Sequence, residues 1–125
     1  MREIITNKAP KAIGPYNQGM LANNVLFVSG QIPFVPETMI VAGDDIKSQT
    51  KQSIENVLAI VEKAGLKKEH IAKIGIFLKD MNMFADMNEI YAHYFDEHKP
   101  ARFAVEVARL PKDVLIEIDA IAVKD

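Results

Sequence analysis

Two carboxylates near the C-terminus are the first residues that could carry out chemistry. Glu117 and Asp119 lie two positions apart in the run Val114 to Val123, so a strand would place both on one face. Apolar side chains share that face, and poor solvation there raises the pKa of a carboxyl group unless a cation or N–H donors offset it. A Glu in such surroundings can act as a general base near neutral pH. A structural ion pair or a carboxylate at a solvated rim would explain the same pattern.

Arg102 is the matching candidate cation. It follows Pro100-Ala101 at the start of a predicted strand, among apolar neighbours. A guanidinium there must reach water, a carboxylate or a ligand, and it binds carboxylates through two parallel charge-assisted hydrogen bonds. A surface arginine with a buried aliphatic stem is the alternative interpretation. Arg109, beside Leu110-Pro111, is better explained as a surface charge or a turn anchor.

Three further positions combine a polar group with a turn or an apolar surface. Tyr16 follows Gly14-Pro15 in a turn that presents its hydroxyl, although packing alone would also explain the ring. Ser29-Gly30 ends an apolar strand, where a small hydroxyl and a bare backbone allow close approach, as would a simple turn. Asn88 interrupts an apolar helical row, so we expect its amide to be buried and hydrogen-bonded to backbone or ligand.

The histidines do not have the spacing of a metal site. His70, His93 and His98 lack the i,i+4 separation of a helical metal pair, no acid cluster joins them, and the chain has no cysteine. Gly14 and Gly19 are too isolated to form a phosphate-binding loop. We therefore expect neither a metal nor another cofactor.

Length and composition indicate one domain over residues 1–125, because 49% apolar residues suffice for a core in a chain of this size. The 15 Lys and Arg nearly balance the 17 Asp and Glu, which leaves no broad positive field for nucleic acid or anionic lipid. The longest apolar run, Val57 to Val61, is too short to span a membrane. The first residues carry an early acid and no long apolar core, so we expect no secretory signal. We expect a soluble, cytoplasmic protein.

Hydrophobic periodicity predicts two helices. The first spans Asp45 to Ala64, where Asp44 or Asp45 can cap the first turn and Gly65 can end the helix in the left-handed conformation. The second runs from Met83 to His98.

Five other segments have the composition of strands: Asn17 to Ala22, Val25 to Ser29, Ile71 to Leu78, Ala101 to Val107 and Val114 to Val123. Pro33 and Pro36 disfavour a central strand over Gln31 to Glu37, which we interpret as a loop or a sheet edge. Met39 to Ala42 is a candidate short strand. The order of elements predicts an α+β fold with two crossover connections.

The last strand also predicts self-association, because it is apolar on both faces. Two helices of this length can cover only one face of a sheet. The other face would then expose an apolar patch that soluble monomers seldom tolerate. Coverage by long loops is the alternative.

Five sequence blocks together resemble a known family. Residues 12–19 (AIGPYNQG) and 28–33 (VSGQIP) resemble the N-terminal blocks of the RidA/YjgF family, and residues 100–102 (PAR), 105–112 (VEVARLPK) and 116–122 (IEIDAIA) resemble its C-terminal signature. The likeness covers nearly the whole chain. It implies a chorismate-mutase-like α+β fold with a mixed sheet of about six strands and two helices on one face. It also implies a homotrimer with three clefts between subunits.

The resemblance implies an activity as well. Family members are enamine/imine deaminases, hydrolases that act on C=N bonds and convert reactive 2-imino acids, such as those from 2-aminoacrylate, to 2-keto acids and ammonia. By matching position, Arg102 would clamp the substrate carboxylate and Glu117 would hold and activate the attacking water. The residues that would line the cleft are Tyr16, Ser29, Gly30 and Asn88. No cofactor is needed, because an iminium carbon is already electrophilic.

The sequence departs from the family pattern beside Arg102. Phe103 stands where many members have Ser or Thr, Ala104 where some have Cys, and the loop Glu97 to Pro100 is shorter than in some members. We expect Arg102 and Phe103 to point to opposite sheet faces, so the clamp should survive, and the departures bear instead on the shape of the cleft mouth and hence on the substrate range.

Two other functions are compatible with the resemblance. A non-catalytic sensor could bind 2-keto acids in the same cleft and regulate a partner. An endoribonuclease or translation inhibitor, an activity attributed to some relatives, is disfavoured by the negative net charge and the absence of a basic stripe.

Overall fold

Six strands form one mixed sheet with two helices against one face in the computed structural model, which describes residues 1–125. In chain order the elements are β1 (Arg2–Ile4), β2 (Gly19–Ala22), β3 (Val25–Gln31), β4 (Phe34–Val35), β5 (Ile40–Val41), α1 (Ile46–Lys63), β6 (Ile71–Leu78), α2 (Phe84–Tyr94), β7 (Ala101–Glu106) and β8 (Ile116–Val123). The strand order in the sheet is β1-β2-β3-β8-β6-β7, and β4 and β5 form a separate hairpin. The predicted α+β class is confirmed.

The last strand of the sequence lies inside the sheet. β8 pairs antiparallel with β3 on one side and with β6 on the other, and β6 pairs parallel with β7. A parallel pair needs a crossover connection, which α2 provides between β6 and β7. The topology therefore places Glu117 and Asp119 near the middle of the sheet and Arg102 on an edge strand.

Side chains of β8 alternate between the core and the opposite sheet face. Ile116, Ile118, Ala120 and Ala122 are at most 3% exposed and join one hydrophobic cluster with both helices. The most buried helical partners in that cluster are Ile54, Val57, Ile60, Val61 and Met87. Each large aliphatic side chain buried in this way contributes about 1.5–3 kcal/mol of transfer free energy.

Both predicted ends of the first helix are confirmed within a residue. The Asp45 carboxylate accepts a hydrogen bond from the Ser48 N–H at 2.9 Å and caps α1. Gly65 follows the helix with φ of +83°, a conformation that favours glycine.

The second helix is shorter than predicted. α2 ends at Tyr94 rather than His98, because Phe95 leaves the helical conformation and buries its ring against Tyr91, with 4.7 Å between ring centres. Before α2 the chain makes a short 3₁₀ turn at Met81–Met83. Its cap is Asp80, whose carboxylate accepts from the Asn82 N–H at 2.9 Å.

Two further differences concern short strands. β1 was not predicted, because three residues are too few to show an alternating pattern, and it pairs with β2 at the sheet edge. Within the predicted loop over Gln31 to Glu37, Phe34–Val35 pairs with Ile40–Val41. This hairpin stays outside the main sheet, as the two prolines require.

The sheet face away from the helices stays open in the single chain. Phe27 on β3 is 49% exposed, and Phe103 and Val105 on β7 are 37% and 42% exposed. The predicted second apolar face is therefore present, and the chain's own loops leave these three side chains uncovered. Neither helix combines the length and apolar character needed to cross a bilayer.

A single buried amide fixes the segment that precedes β2. Gln18 is 3% exposed, and its Nε2 donates to the carbonyl oxygens of Thr6, Ala9 and Pro10 at 2.7–3.2 Å. Its Oε1 accepts from the Thr6 N–H at 2.7 Å. Because Gln18 supplies the hydrogen-bond partners of these backbone groups, the path of residues 6–10 depends on this one side chain.

Replacement of Gln18 by Met should release this segment. The near-isosteric side chain leaves the carbonyls unpaired, so we expect the free energy of unfolding to fall by about 1–3 kcal/mol. Trypsin should cut faster after the exposed Lys8 and Lys11, as measured by limited proteolysis. Gln31→Met is the matched control, because Gln31 is also buried but donates only to the Ser29 carbonyl. Equal cleavage of the two variants would contradict the assignment.

Candidate active site

Glu117 lines a pocket of about 350 Å³ at the junction of β3 and β8. The other residues that line it are Ile13, Tyr16, Ser29, Gly30, Ile32 and Pro111. The structure thus brings four of the predicted site residues together, although Tyr16 and Glu117 are about a hundred positions apart in the chain. Three of the residues that line the pocket are apolar.

Gly30 leaves space for the Glu117 carboxylate because it has no side chain. A Cβ built at Gly30 would overlap a carboxylate oxygen and would lie 2.9 Å from the carboxylate carbon. The pairing register of β3 with β8 shifts between Val28 and Gln31, which indicates a β-bulge at this point. The absence of a side chain at Gly30 therefore allows Glu117 to lie across β3.

The surroundings of Glu117 make its charged form less favourable than that of a carboxylate in water. Neither ion pair of the chain includes this side chain. Burial is the larger cause and the negative charge of Asp119 the smaller cause that raise the pKa of Glu117 above its usual 4.5. The pKa of Asp119 is also raised by burial, against the lowering effects of the Gly75 N–H and Lys73. A carboxyl group with a raised pKa holds a proton more readily and is suited to general acid-base chemistry.

Ser29 and Tyr16 line the same pocket as Glu117. The Ser29 hydroxyl donates to the Asn17 carbonyl at 2.6 Å, so its hydrogen fixes the backbone while its oxygen can still accept. The Tyr16 hydroxyl accepts a weak hydrogen bond from the Ile13 N–H at 3.3 Å. Its ring is 45% exposed and borders the mouth of the pocket.

Arg102 and Asn88 meet at a second location, between β7 and α2. Arg102 donates from Nη1 to Asn88 Oδ1 at 2.6 Å. The guanidinium carbon lies 4.7 Å from the centre of the Tyr91 ring and 5.6 Å from that of Phe84. Neither ion pair of the chain includes Arg102, so its charge is balanced by ring faces and an amide rather than by a carboxylate.

Two exposed contacts join α1 to α2. Lys47 of α1 pairs with Glu89 of α2 at 2.6 Å, and the Tyr94 hydroxyl donates to Glu55 of α1 at 2.6 Å. The Glu89 contact raises the pKa of Lys47, and burial with the Glu55 contact raises the pKa of Tyr94. Both contacts lie at the surface and neither includes Arg102 or Asn88, so they add modestly to the packing of the helices.

The two groups lie on opposite faces of the sheet. Glu117 alternates with Ile116 and Ile118, which face the helices, so its own side chain points away from them. Arg102 points toward α2. β6 separates their strands, which puts the strand axes about 10 Å apart. A single chain therefore does not place Arg102 and Glu117 in one cleft.

Phe103 lies on the face opposite Arg102, as predicted from alternation. Its ring packs edge-on against Phe77 of β6, with 5.4 Å between centres, and lies over Gly75. Sequence analysis did not assign Tyr91 and Phe84 to the Arg102 group. Their spacing from Asn88, at three and four positions, was the signal that all three share one helix face.

A model of the family described as Endoribonuclease L-PSP matches residues 6–124. The chain belongs to this family, the RidA/YjgF family. Among RidA/YjgF relatives, a RutC family protein of Pyrococcus horikoshii is 58% identical over the full length of both chains. A protein of Salmonella typhimurium named 2-iminobutanoate/2-iminopropanoate deaminase is 54% identical over 98% of both chains. Escherichia coli TdcF, whose crystal structure contains bound serine, is 48% identical in sequence to this chain. The two structures match over 100% of both chains with a TM-score of 0.96.

Replacement of Gly30 by Ala in this RidA/YjgF chain should move the Glu117 carboxylate toward water. Because burial is the main cause of the raised pKa, we expect the pKa of Glu117 to fall toward 4.5, as measured by ¹³C NMR of the side-chain carboxyl. Steric overlap should also lower the free energy of unfolding by about 1–3 kcal/mol. Gly14→Ala is the control, since a Cβ there makes only an ordinary 3.5 Å contact with Tyr16. An unchanged titration in Gly30→Ala would refute this account.

Proposed function

We propose that this protein is an enamine/imine deaminase that hydrolyses reactive 2-imino acids to 2-keto acids and ammonia. The observation that carries the proposal is the presence of two preformed groups of opposite charge without a charged partner in the chain. One is the Arg102 guanidinium held by Asn88, and the other is the half-buried Glu117 carboxyl. The Salmonella relative, 54% identical, bears the name of this activity.

Arg102 would bind the carboxylate of the substrate. Asn88 occupies one N–H of Nη1, and the Nε and Nη2 groups make no hydrogen bond to the rest of the chain. These free donors suit the two oxygens of a carboxylate, and each charge-assisted hydrogen bond contributes about 1.5–3 kcal/mol. A 2-imino acid presents such a carboxylate next to its reactive carbon.

Glu117 would act on water. Its carboxylate takes a proton as the water oxygen bonds to C2 of the iminium, and it then returns that proton to the amino nitrogen. The C2–N bond breaks as the hydroxyl loses its proton to Glu117 and the C2 carbonyl forms, and Glu117 passes this proton to the departing ammonia. The sum is one iminium and one water converted to one keto acid and one ammonium ion, with Glu117 returned to its carboxylate form. Placement of one base is the main requirement, because C2 is already electrophilic.

A second copy of the chain would unite the two groups. The open apolar face carries Glu117, while Arg102 lies on edge strand β7. In a cyclic homotrimer, the Glu117 face of one subunit can meet the Arg102 edge of its neighbour, which forms three equivalent clefts. Burial of Phe27 and Val105 in the contacts would stabilise the assembly.

A binding function without turnover is the competing outcome. The relative whose structure contains bound serine, a small amino acid with a carboxylate, supports small-molecule binding of this kind. A sensor of 2-keto acids would be stabilised thermally by its ligand but would release no ammonia from a 2-imino acid.

Removal of the guanidinium should abolish efficient turnover. For Arg102→Ala we expect kcat/KM to fall by at least about 100-fold, because two charge-assisted hydrogen bonds to the substrate are lost. The measurement is ammonia and keto acid release from a 2-imino acid generated in situ. Arg2→Ala is the control, because Arg2 is exposed on β1, which lies three strands from β8 and at the opposite edge of the sheet from β7. A wild-type rate for Arg102→Ala would exclude the clamp.

Mixed assemblies should reveal whether the cleft lies between subunits. Arg102→Ala and Glu117→Gln chains, each inactive alone, should regain activity when unfolded together and refolded. At equal amounts we expect about a quarter of the wild-type rate, since about three quarters of random trimers are mixed and each holds one intact cleft in three. No recovery in mixtures that light scattering identifies as trimers would place the reaction elsewhere.

A further inference from the structure

The ring and the hydroxyl of Tyr91 have different surroundings. Its side chain is 8% exposed, yet its hydroxyl has no hydrogen-bond partner. Its ring is also the aromatic face nearest to Arg102, at 4.7 Å from the guanidinium carbon against 5.6 Å for Phe84. A buried hydroxyl without a partner destabilises the fold, so a contribution of Tyr91 to the Arg102 group is expected from its ring.

The contacts of Arg102 fall into two kinds that restrain different motions. The hydrogen bond from Nη1 to Asn88 fixes one corner of the guanidinium but leaves rotation about that bond. The Tyr91 ring face opposes that rotation, because a planar cation over an aromatic face is attracted to the negative charge density of the ring. Phe95 braces the ring from another side, with 4.7 Å between ring centres.

We propose that Tyr91 is a positioning residue that acts through Arg102 and sets the orientation of its free donors toward a ligand carboxylate. The inference rests on the proposed carboxylate-binding role of Arg102. The ring supplies this effect and the hydroxyl does not. Tyr91 thereby restricts ligands to those with a planar carboxylate that matches two parallel N–H groups, and it has no contact with the reacting atoms.

Three variants separate the ring, the hydroxyl and general stability. Tyr91→Leu removes the ring. If the leucine variant does not fold, Tyr91→Met is used in its place. Tyr91→Phe removes only the unpaired hydroxyl. Tyr94→Leu is the matched control, because Tyr94 lies on the same helix and bonds to Glu55 rather than to Arg102.

Three measurements report on different steps. The first is the ¹⁵N NMR signal of the Arg102 Nε–H group, which is easily assigned because the chain has only Arg2, Arg102 and Arg109. The second is the Kd for 2-oxobutanoate by calorimetry. The third is the separation of kcat from KM with a 2-imino acid generated in situ.

We expect Tyr91→Leu to shift and broaden the Arg102 Nε–H signal and to raise both Kd and KM by about tenfold, with kcat within about twofold of the wild type. Tyr91→Phe should retain the signal, Kd and KM of the wild type and should unfold at the same or a higher temperature. Tyr94→Leu should lower stability and leave the Arg102 signal in place.

Four results would overturn the proposal. The first is an unchanged Arg102 signal and Kd in Tyr91→Leu, and the second is an equal loss of affinity in Tyr91→Leu and Tyr94→Leu. The third is a loss of affinity in Tyr91→Phe as large as in Tyr91→Leu. The fourth is a wild type that does not bind 2-oxobutanoate. Absence of turnover by a wild type that does bind 2-oxobutanoate would reject the deaminase and leave the role of Tyr91 decided by the signal and the Kd.

Discussion

The alternation of side chains along β8 is the constraint on which the rest of the structure depends. Alternate residues from Ile116 onward fill the core beneath both helices, and the intervening positions carry Glu117 and Asp119 on the open face. Burial of the first set fixes the register of the strand, since a shift by one residue would place both carboxylates in the core. The same hydrophobic contacts that stabilise the fold therefore also position the candidate base.

Both charged groups of the candidate site lower the stability of the isolated chain. Burial raises the pKa of Glu117, and Arg102 depends on an amide and aromatic rings in place of a carboxylate. A fold selected for monomer stability alone would pair or solvate such groups. Their separation on opposite faces leaves each group free for a partner surface or a ligand that supplies the missing charge.

Local patterns were enough to predict the elements that carry their own signals. The strand Ile71 to Leu78 and the cap and stop of α1 depend on residues within a few positions of one another. β1 was missed because its stability comes from pairing with β2, and α2 was drawn too long because the exit of Phe95 depends on tertiary contact with Tyr91.

The candidate site was predicted in parts for a similar reason. Resemblance to the family named its residues, and alternation correctly separated Arg102 from Phe103. The division of the site between two faces depends on how β6 pairs with both β7 and β8, which are long-range contacts that no local pattern contains. The ring of Tyr91 could be assigned to the helix face of Asn88, but its distance from Arg102 depends on the packing of α2 on the sheet.

The two carboxylates of β8 have different surroundings because each lies over a different glycine. Glu117 lies over Gly30 of β3 and enters the pocket, whereas Asp119 lies over Gly75 of β6 beside Phe103. The carboxylates thus lean toward opposite neighbours of the strand that carries them. Asp119 can then raise the pKa of Glu117 through its charge without occupying the space that a water or substrate needs. Phe103, the residue that departs from the family pattern, lies on the Asp119 side, so its bulk is directed at the carboxylate that stays outside the pocket.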